Sequence, residues 1–81
     1  MNWRLVWTEP AQRSLQRIFW QDAARVDAAV TKYAETGRGD VRRLPTDDAL
    51  TVRLRVGAYR VRLTLDASEG VMWVWMVYRF G

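Results

Sequence analysis

Eighty-one residues are enough for one domain with one small core and too few for two, and 49% apolar with 27% charged residues is the composition of a folded protein. The chain has neither cysteine nor histidine, which excludes disulfides, thiolate chemistry, and the commonest general acid/base and metal ligand. No apolar run approaches the roughly 20 residues of a membrane span, and the start MNWRLVW lacks the flanks of a signal peptide, so a cytoplasmic protein without a membrane partner is expected.

Asn2 to Trp7 reads as a short first strand. Thr8 is placed to cap a helix, with Glu9 and Pro10 in its first turn, where a carboxylate favours the helix dipole and a missing N–H does no harm. Ala11, Leu15, Ile18 and Phe19 follow at helical spacing, which predicts a helix ending near Trp20 or Gln21. Asp22 is expected to cap a second helix running to about Thr36, with Val26, Ala29, Val30 and Tyr33 as its apolar stripe and Gly37 just past its end. The two form an α-hairpin. Residues 38–49, RGDVRRLPTDDA, read as a charged loop, because Pro45 argues against a central strand and Asp47-Asp48 suits a turn or cap.

Three strands complete the chain, Leu50 to Val56, Tyr59 to Asp66 and Val71 to Tyr78. The expected fold is therefore α+β, a single domain over residues 1–81, with an N-terminal strand, an α-hairpin and a three-stranded antiparallel meander whose one face the helices cover. The place of the first strand in the sheet is open. Gly57-Ala58 between two alternating runs fits a two-residue type II′ turn. That turn sets Val56 opposite Tyr59, Arg55 opposite Arg60, Leu54 opposite Val61 and Arg53 opposite Arg62, so four guanidiniums share one face as a two-by-two block. For the second hairpin, with Asp66 opposite Val71, the same counting sets Leu65 against Met72, Leu63 against Val74, Val61 against Met76 and Trp75 across from Arg62. The arginine face would then also hold Trp73, Trp75 and Arg79, with Tyr59 and Tyr78 packing on the other.

Like charges directly opposite one another destabilise a sheet, so a chain that carries two such pairs has an anion to place there. Twelve of its thirteen basic residues are arginine, the type suited to bidentate phosphate contacts and to stacking on aromatic rings. Arginine holds its proton, so at a reacting centre it clamps charge and does not act as a base. The indoles could stack single-stranded bases at roughly 1–3 kcal/mol each. Nucleic acid or an acidic protein segment fits such a face. A plain solvated face with its tryptophans covered by a loop, a terminus or a partner fits the same pattern, since one side of an antiparallel sheet is commonly wet, although such a face does not call for two indoles. Asp66 and Glu69 read as hairpin residues, Lys32 as solvated, and no carboxylate pair has the companions a metal site needs.

The order strand, two helices, three strands, with VWTEPAQRSLQRI near the start and LRVGAYRVRL in the middle, resembles the RelE/ParE toxin superfamily of bacterial type II toxin-antitoxin systems over nearly the whole chain. The pattern Arg-x-Gly-x-Tyr-Arg, followed by an apolar strand ending in arginine, is the more specific part. The resemblance implies a toxin that cleaves mRNA in the ribosomal A site without metal or cofactor, the ribose 2′-hydroxyl attacking the adjacent phosphate to leave a 2′,3′-cyclic phosphate and a 5′-hydroxyl. On this basis Arg60, Arg79 and Arg53 are the implied catalytic residues, Arg60 stabilising the phosphorane, Arg79 holding the phosphate or assisting the leaving group and Arg53 orienting the backbone. Arg55, Arg62, Trp73 and Trp75 are the implied RNA-binding residues.

Two departures stand out. Thr51 and Arg53 occupy the places where ribosome-dependent members carry lysines, and Phe80-Gly81 follows Arg79 where the family usually continues into a short tail with a tyrosine that stacks on the substrate base. No residue is thereby assigned to proton transfer. The missing lysines, histidine and tyrosine favour a ParE-like inhibitor of DNA gyrase, the arginine and tryptophan face favours RNA, and a weak member that mainly binds its antitoxin is a third reading. The implied partners are a cognate antitoxin whose flexible acidic or apolar segment wraps the domain, the ribosome and mRNA or alternatively gyrase, and operator DNA only through the antitoxin.

Overall fold

The structure, a computed structural model, describes residues 2–43 and 50–80. Its elements are β1 (Arg4–Trp7), α1 (Glu9–Gln16), α2 (Trp20–Thr36), β2 (Asp40–Arg42), β3 (Thr51–Val56), β4 (Tyr59–Asp66) and β5 (Val71–Arg79). The strands form one mixed sheet in the order β1-β5-β4-β3-β2, in which β1 runs parallel to β5 and every other pair is antiparallel. The α+β arrangement expected from the sequence holds, and the open question of β1 is answered by its place on the edge beside β5.

Thr8 caps α1 as expected, its Oγ1 accepting from the Ala11 N–H and donating to the Val74 carbonyl at 2.6 Å, so one hydroxyl ties the helix start to the sheet. The helix ends earlier than its apolar spacing predicts. Phe19 takes an extended conformation (φ −57°, ψ 137°) and starts α2 one residue later, with no side-chain cap. Asp22 is therefore not the cap but a first-turn carboxylate, bonded to Arg25 at 3.3 Å and to the Tyr59 hydroxyl at 3.2 Å. α2 buries Val26, Val30 and Ala34, with Ala29 and Tyr33 beside them, and ends at Gly37, whose φ of 74° is the left-handed geometry that favours glycine.

Part of the segment read as a loop is a strand. Asp40, Val41 and Arg42 pair with Arg55, Leu54 and Arg53, and Val41 adds to the core side. Three residues with charges at both ends carry too little alternation to be read as a strand. Pro45, Asp47 and Asp48 lie outside the described residues.

Both helices lie on one sheet face. Val52 and Leu54 from β3, Val61 and Leu63 from β4, and Met72, Val74 and Val77 from β5 pack there against Ala11, Val26, Val30 and Ala34. The β3–β4 hairpin has the register the turn predicts, pair for pair, with Gly57 at φ 59° and no positive φ at Ala58, as a type II′ turn requires.

The β4–β5 hairpin starts as expected, Asp66 facing Val71, Leu65 facing Met72 and Leu63 facing Val74, and then shifts. Arg62 faces Met76, not Trp75, and Val61 faces Val77, not Met76, so Trp75 is the extra residue of a β-bulge. Every residue beyond it changes face. Val77 enters the core in place of Met76, which is 48% exposed. Beyond Trp7, where β1 ends, α1 runs along the free edge of β5, and the Val77 N–H donates to Ser14 Oγ at 3.0 Å while that hydroxyl donates to the Ala11 carbonyl.

Replacing Ser14 by alanine removes the acceptor from a part-buried backbone N–H. The expected cost is about 1–3 kcal/mol, read as a lower urea midpoint at unchanged m-value; an unchanged midpoint refutes the edge role of Ser14. In the β4–β5 turn, the Ser68 hydroxyl and then the Glu69 N–H donate to Asp66 and hold its carboxyl below the ordinary value of 3.8. A lowered carboxyl pKa contributes stability that is present above the unfolded value and lost as the pH falls through the folded one. Asp66→Ala is therefore expected to be less stable than wild type at pH 7, with the gap closing as the pH drops below 3.8, which denaturation across pH measures.

Candidate nucleic-acid interface

The sheet face away from the helices gathers the side chains that alternate with the core. Two rows cross it. One runs Tyr78, Arg60, Arg55, Asp40 from β5 to β2, and the next runs Met76, Arg62, Arg53, Arg42. The two-by-two arginine block is thus present as predicted, and β2 extends it by Arg42.

Arg42, Arg53, Arg55 and Arg60 line a pocket of about 200 Å³ with Tyr78 and Phe80. At roughly 30 Å³ per water molecule, that space has ample room for a phosphodiester group. Arg60 is fixed on two sides, its Nη1 donating to the Tyr59 carbonyl at 3.2 Å and its guanidinium carbon 4.7 Å from the centre of the Phe80 ring, a cation–π contact. Phe80 is held in line by its N–H, which donates to the Ala58 carbonyl at 2.9 Å. Among the described residues, Arg42, Arg55, Arg60 and Arg62 form no ion pair; the charged pairs Arg13–Glu9 and Arg25–Asp22 lie on the helices. Their positive field is left for an outside anion.

The tryptophans occupy the other half of the face. Trp73 and Trp75 stack with ring centres 6.1 Å apart and planes 22° from parallel, and the Trp75 Nε1–H donates to Thr64 Oγ1 at 2.9 Å. The bulge leaves Trp75 42% exposed, beside a shallower hollow bounded by Arg62, Met76 and Pro10. An indole offered in this way is a platform for an unpaired base.

Of the residues predicted for the site, Arg53, Arg55, Arg60, Arg62, Trp73 and Trp75 share this face, and Arg79 does not. The bulge turns Arg79 to the helix side opposite Tyr59, where it lines a separate cleft with Asp22, Arg25 and the Gly57-Ala58 turn. Tyr78, read as a packing residue, takes the place on the arginine face, while Tyr59 does pack against the core. Tyr78, Phe80 and Arg42 were missed together. From Val71 to Tyr78 both alternating faces are apolar, so the pattern does not mark a one-residue slip.

No protein-family model matches the chain, and no curated protein sequence matches it. Solved structures do. A chain of the archaeal RelE-RelB complex from Pyrococcus horikoshii superimposes with a TM-score of 0.81 at 20% identity, covering 100% of this chain and 98% of that one. A chain of the RelB-RelE antitoxin-toxin complex from Methanococcus jannaschii gives 0.74 at 12% identity over 91% and 88%, and one of the RelBE2 toxin-antitoxin complex from Mycobacterium tuberculosis gives 0.70 at 24% over 98% and 92%. The fold is RelE-like.

Arg55 and Arg60 face each other without an intervening carboxylate. Inorganic phosphate at constant ionic strength is expected to raise the melting temperature of wild type more than that of Arg55→Thr. Equal phosphate shifts in the two proteins argue against an anion site on this face.

Proposed function

We propose that this chain is the toxin of a type II toxin-antitoxin pair and that it inhibits translation by cutting mRNA on the ribosome. The observation that carries the reading is the arginine pocket itself, in which guanidiniums from three strands converge with no carboxylate among the described residues of the wall and with stacked indoles on the same face. The RelE-like fold supports it, since the structures it matches come from toxin-antitoxin complexes.

The chemistry such a pocket serves is transphosphorylation within RNA. The ribose 2′-oxygen attacks the neighbouring phosphorus in line with the departing 5′-oxygen, and negative charge builds on the phosphoryl oxygens. Arg60, held by the Tyr59 carbonyl and by Phe80, is preorganised to meet that charge, and preorganised donors of this kind are the largest single contribution in many active sites. Arg53 and Arg55 hold the backbone in register, Arg42 and Arg62 extend the contact to the flanking phosphates, and Trp73 and Trp75 stack on an unpaired base. Arg79, across the turn, binds phosphate outside the reacting centre. The antitoxin is a protein with an acidic, flexible segment that orders against the same basic face, and operator DNA is reached through that antitoxin.

The test is a reconstituted translation reaction with labelled mRNA, comparing wild type, Arg60→Ala and a reaction without ribosomes. The expected result is cleavage that needs ribosomes, leaves 2′,3′-cyclic phosphate and 5′-hydroxyl ends, and falls by about 10²–10³ in Arg60→Ala, the usual loss for one transition-state donor. Intact mRNA under all conditions overturns the nuclease reading, and inhibition of gyrase supercoiling by the same preparation would put the ParE-like reading in its place.

A further inference from the structure

A pocket walled by arginines binds a phosphate and stabilises its charge but moves no proton, because a guanidinium does not deprotonate in a protein. Transphosphorylation nonetheless needs one proton removed from the 2′-hydroxyl and one delivered to the 5′-oxygen. Of the six described residues that line the pocket, four are arginine and one is phenylalanine. The sixth is Tyr78. Among the described residues of that wall, its phenol is the only group able to release a proton. Asp40 stands at the far end of the same row, is exposed, and lies outside the wall.

Tyr78 is there because of the bulge. In an uninterrupted β4–β5 ladder it would face the core. With Trp75 as the extra residue it stands directly across from Arg60, half-buried on the arginine face. Resting on the nuclease reading above, we propose that Tyr78 is a catalytic residue, the general acid that protonates the departing 5′-oxygen. The 2′-oxygen forms its bond to phosphorus and gives its proton to a solvent water. The bond from phosphorus to the 5′-oxygen breaks, and that oxygen takes the phenolic proton of Tyr78. The phenolate left behind lies beside the Arg60 guanidinium and regains a proton from solvent, so the protein is unchanged over the cycle.

The role separates from mere packing or stacking by a change of leaving group. A 5′-bridging sulfur departs as a thiolate and needs no proton, so an mRNA with one such linkage at the cleavage site bypasses a general acid and nothing else. Wild type, Tyr78→Phe and Arg60→Ala are compared on the natural and the sulfur-linked mRNA in single-turnover reactions on ribosomes, with thermal melts and ribosome affinity measured for each. The expected result is that Tyr78→Phe folds and binds as wild type does, cuts natural mRNA about 10²–10⁴-fold more slowly, the range for general acid-base catalysis, and cuts the sulfur-linked mRNA within a few-fold of wild type. Arg60→Ala stays slow on both. Wild-type speed of Tyr78→Phe on natural mRNA, or equal slowing on both substrates, overturns the assignment while leaving the nuclease reading in place. Failure of wild type to cut either substrate overturns both.

Discussion

One extra residue in β5 governs what this protein presents to its surroundings. Trp75 has no partner on β4, and the ladder resumes beyond it with every side chain on the opposite face. Val77 completes the core, Arg79 leaves the arginine face, and Tyr78 and Phe80 enter it. The bulge is held from three directions. Trp75 lies on Trp73 and bonds Thr64, Ser14 accepts the Val77 N–H next to it, and the Phe80 N–H bonds the Ala58 carbonyl at the far end. Bulges bend a strand and re-aim its side chains at a local cost in paired backbone. On the outer edge of β5, away from β4, the Ser14 hydroxyl of α1 gives the Val77 N–H a partner.

That edge contact joins the two halves of the chain. β1 covers β5 only as far as Trp7 and Val74; Thr8 then bonds the Val74 carbonyl twice, through its N–H and its hydroxyl, and turns the chain into α1. The helix continues the edge that the strand abandons. The same turn of helix brings Ala11 into the core, completely buried. The short N-terminal elements, weak as isolated structures, thus draw their order from the strand that carries the bulge.

What was legible in the sequence follows from how strongly each segment separates its two faces. From Thr51 to Leu65 apolar residues and arginines alternate, and a one-residue slip would bury guanidiniums, so Gly57 and the alternation together determine the register. The two-by-two arginine block was legible for that reason. From Val71 to Tyr78 the residues on both faces are Val, Met, Trp and Tyr, and a slip costs little that a pattern can register; Arg79 and Tyr78 were consequently exchanged. The short β2 and the break at Phe19 were missed because pairing with β3 and one extended residue outweigh local preference, and neither leaves a periodic trace.

The arginine face also sets the terms on which the proposed partners meet. Four guanidiniums that repel one another across β3 and β4 raise the free energy of the isolated protein, and any polyanion seated among them lowers it. RNA and an acidic antitoxin segment, the ligands proposed above, would therefore draw on the same basic face. Binding of either stabilises the fold, and by linkage the tighter ligand removes the site from the other. Neutralisation by such an antitoxin would then require no change in the sheet: covering the pocket would satisfy its charge and close it in one event. The mutual repulsion of the arginines, unfavourable in the free domain, would strengthen both of these proposed interactions.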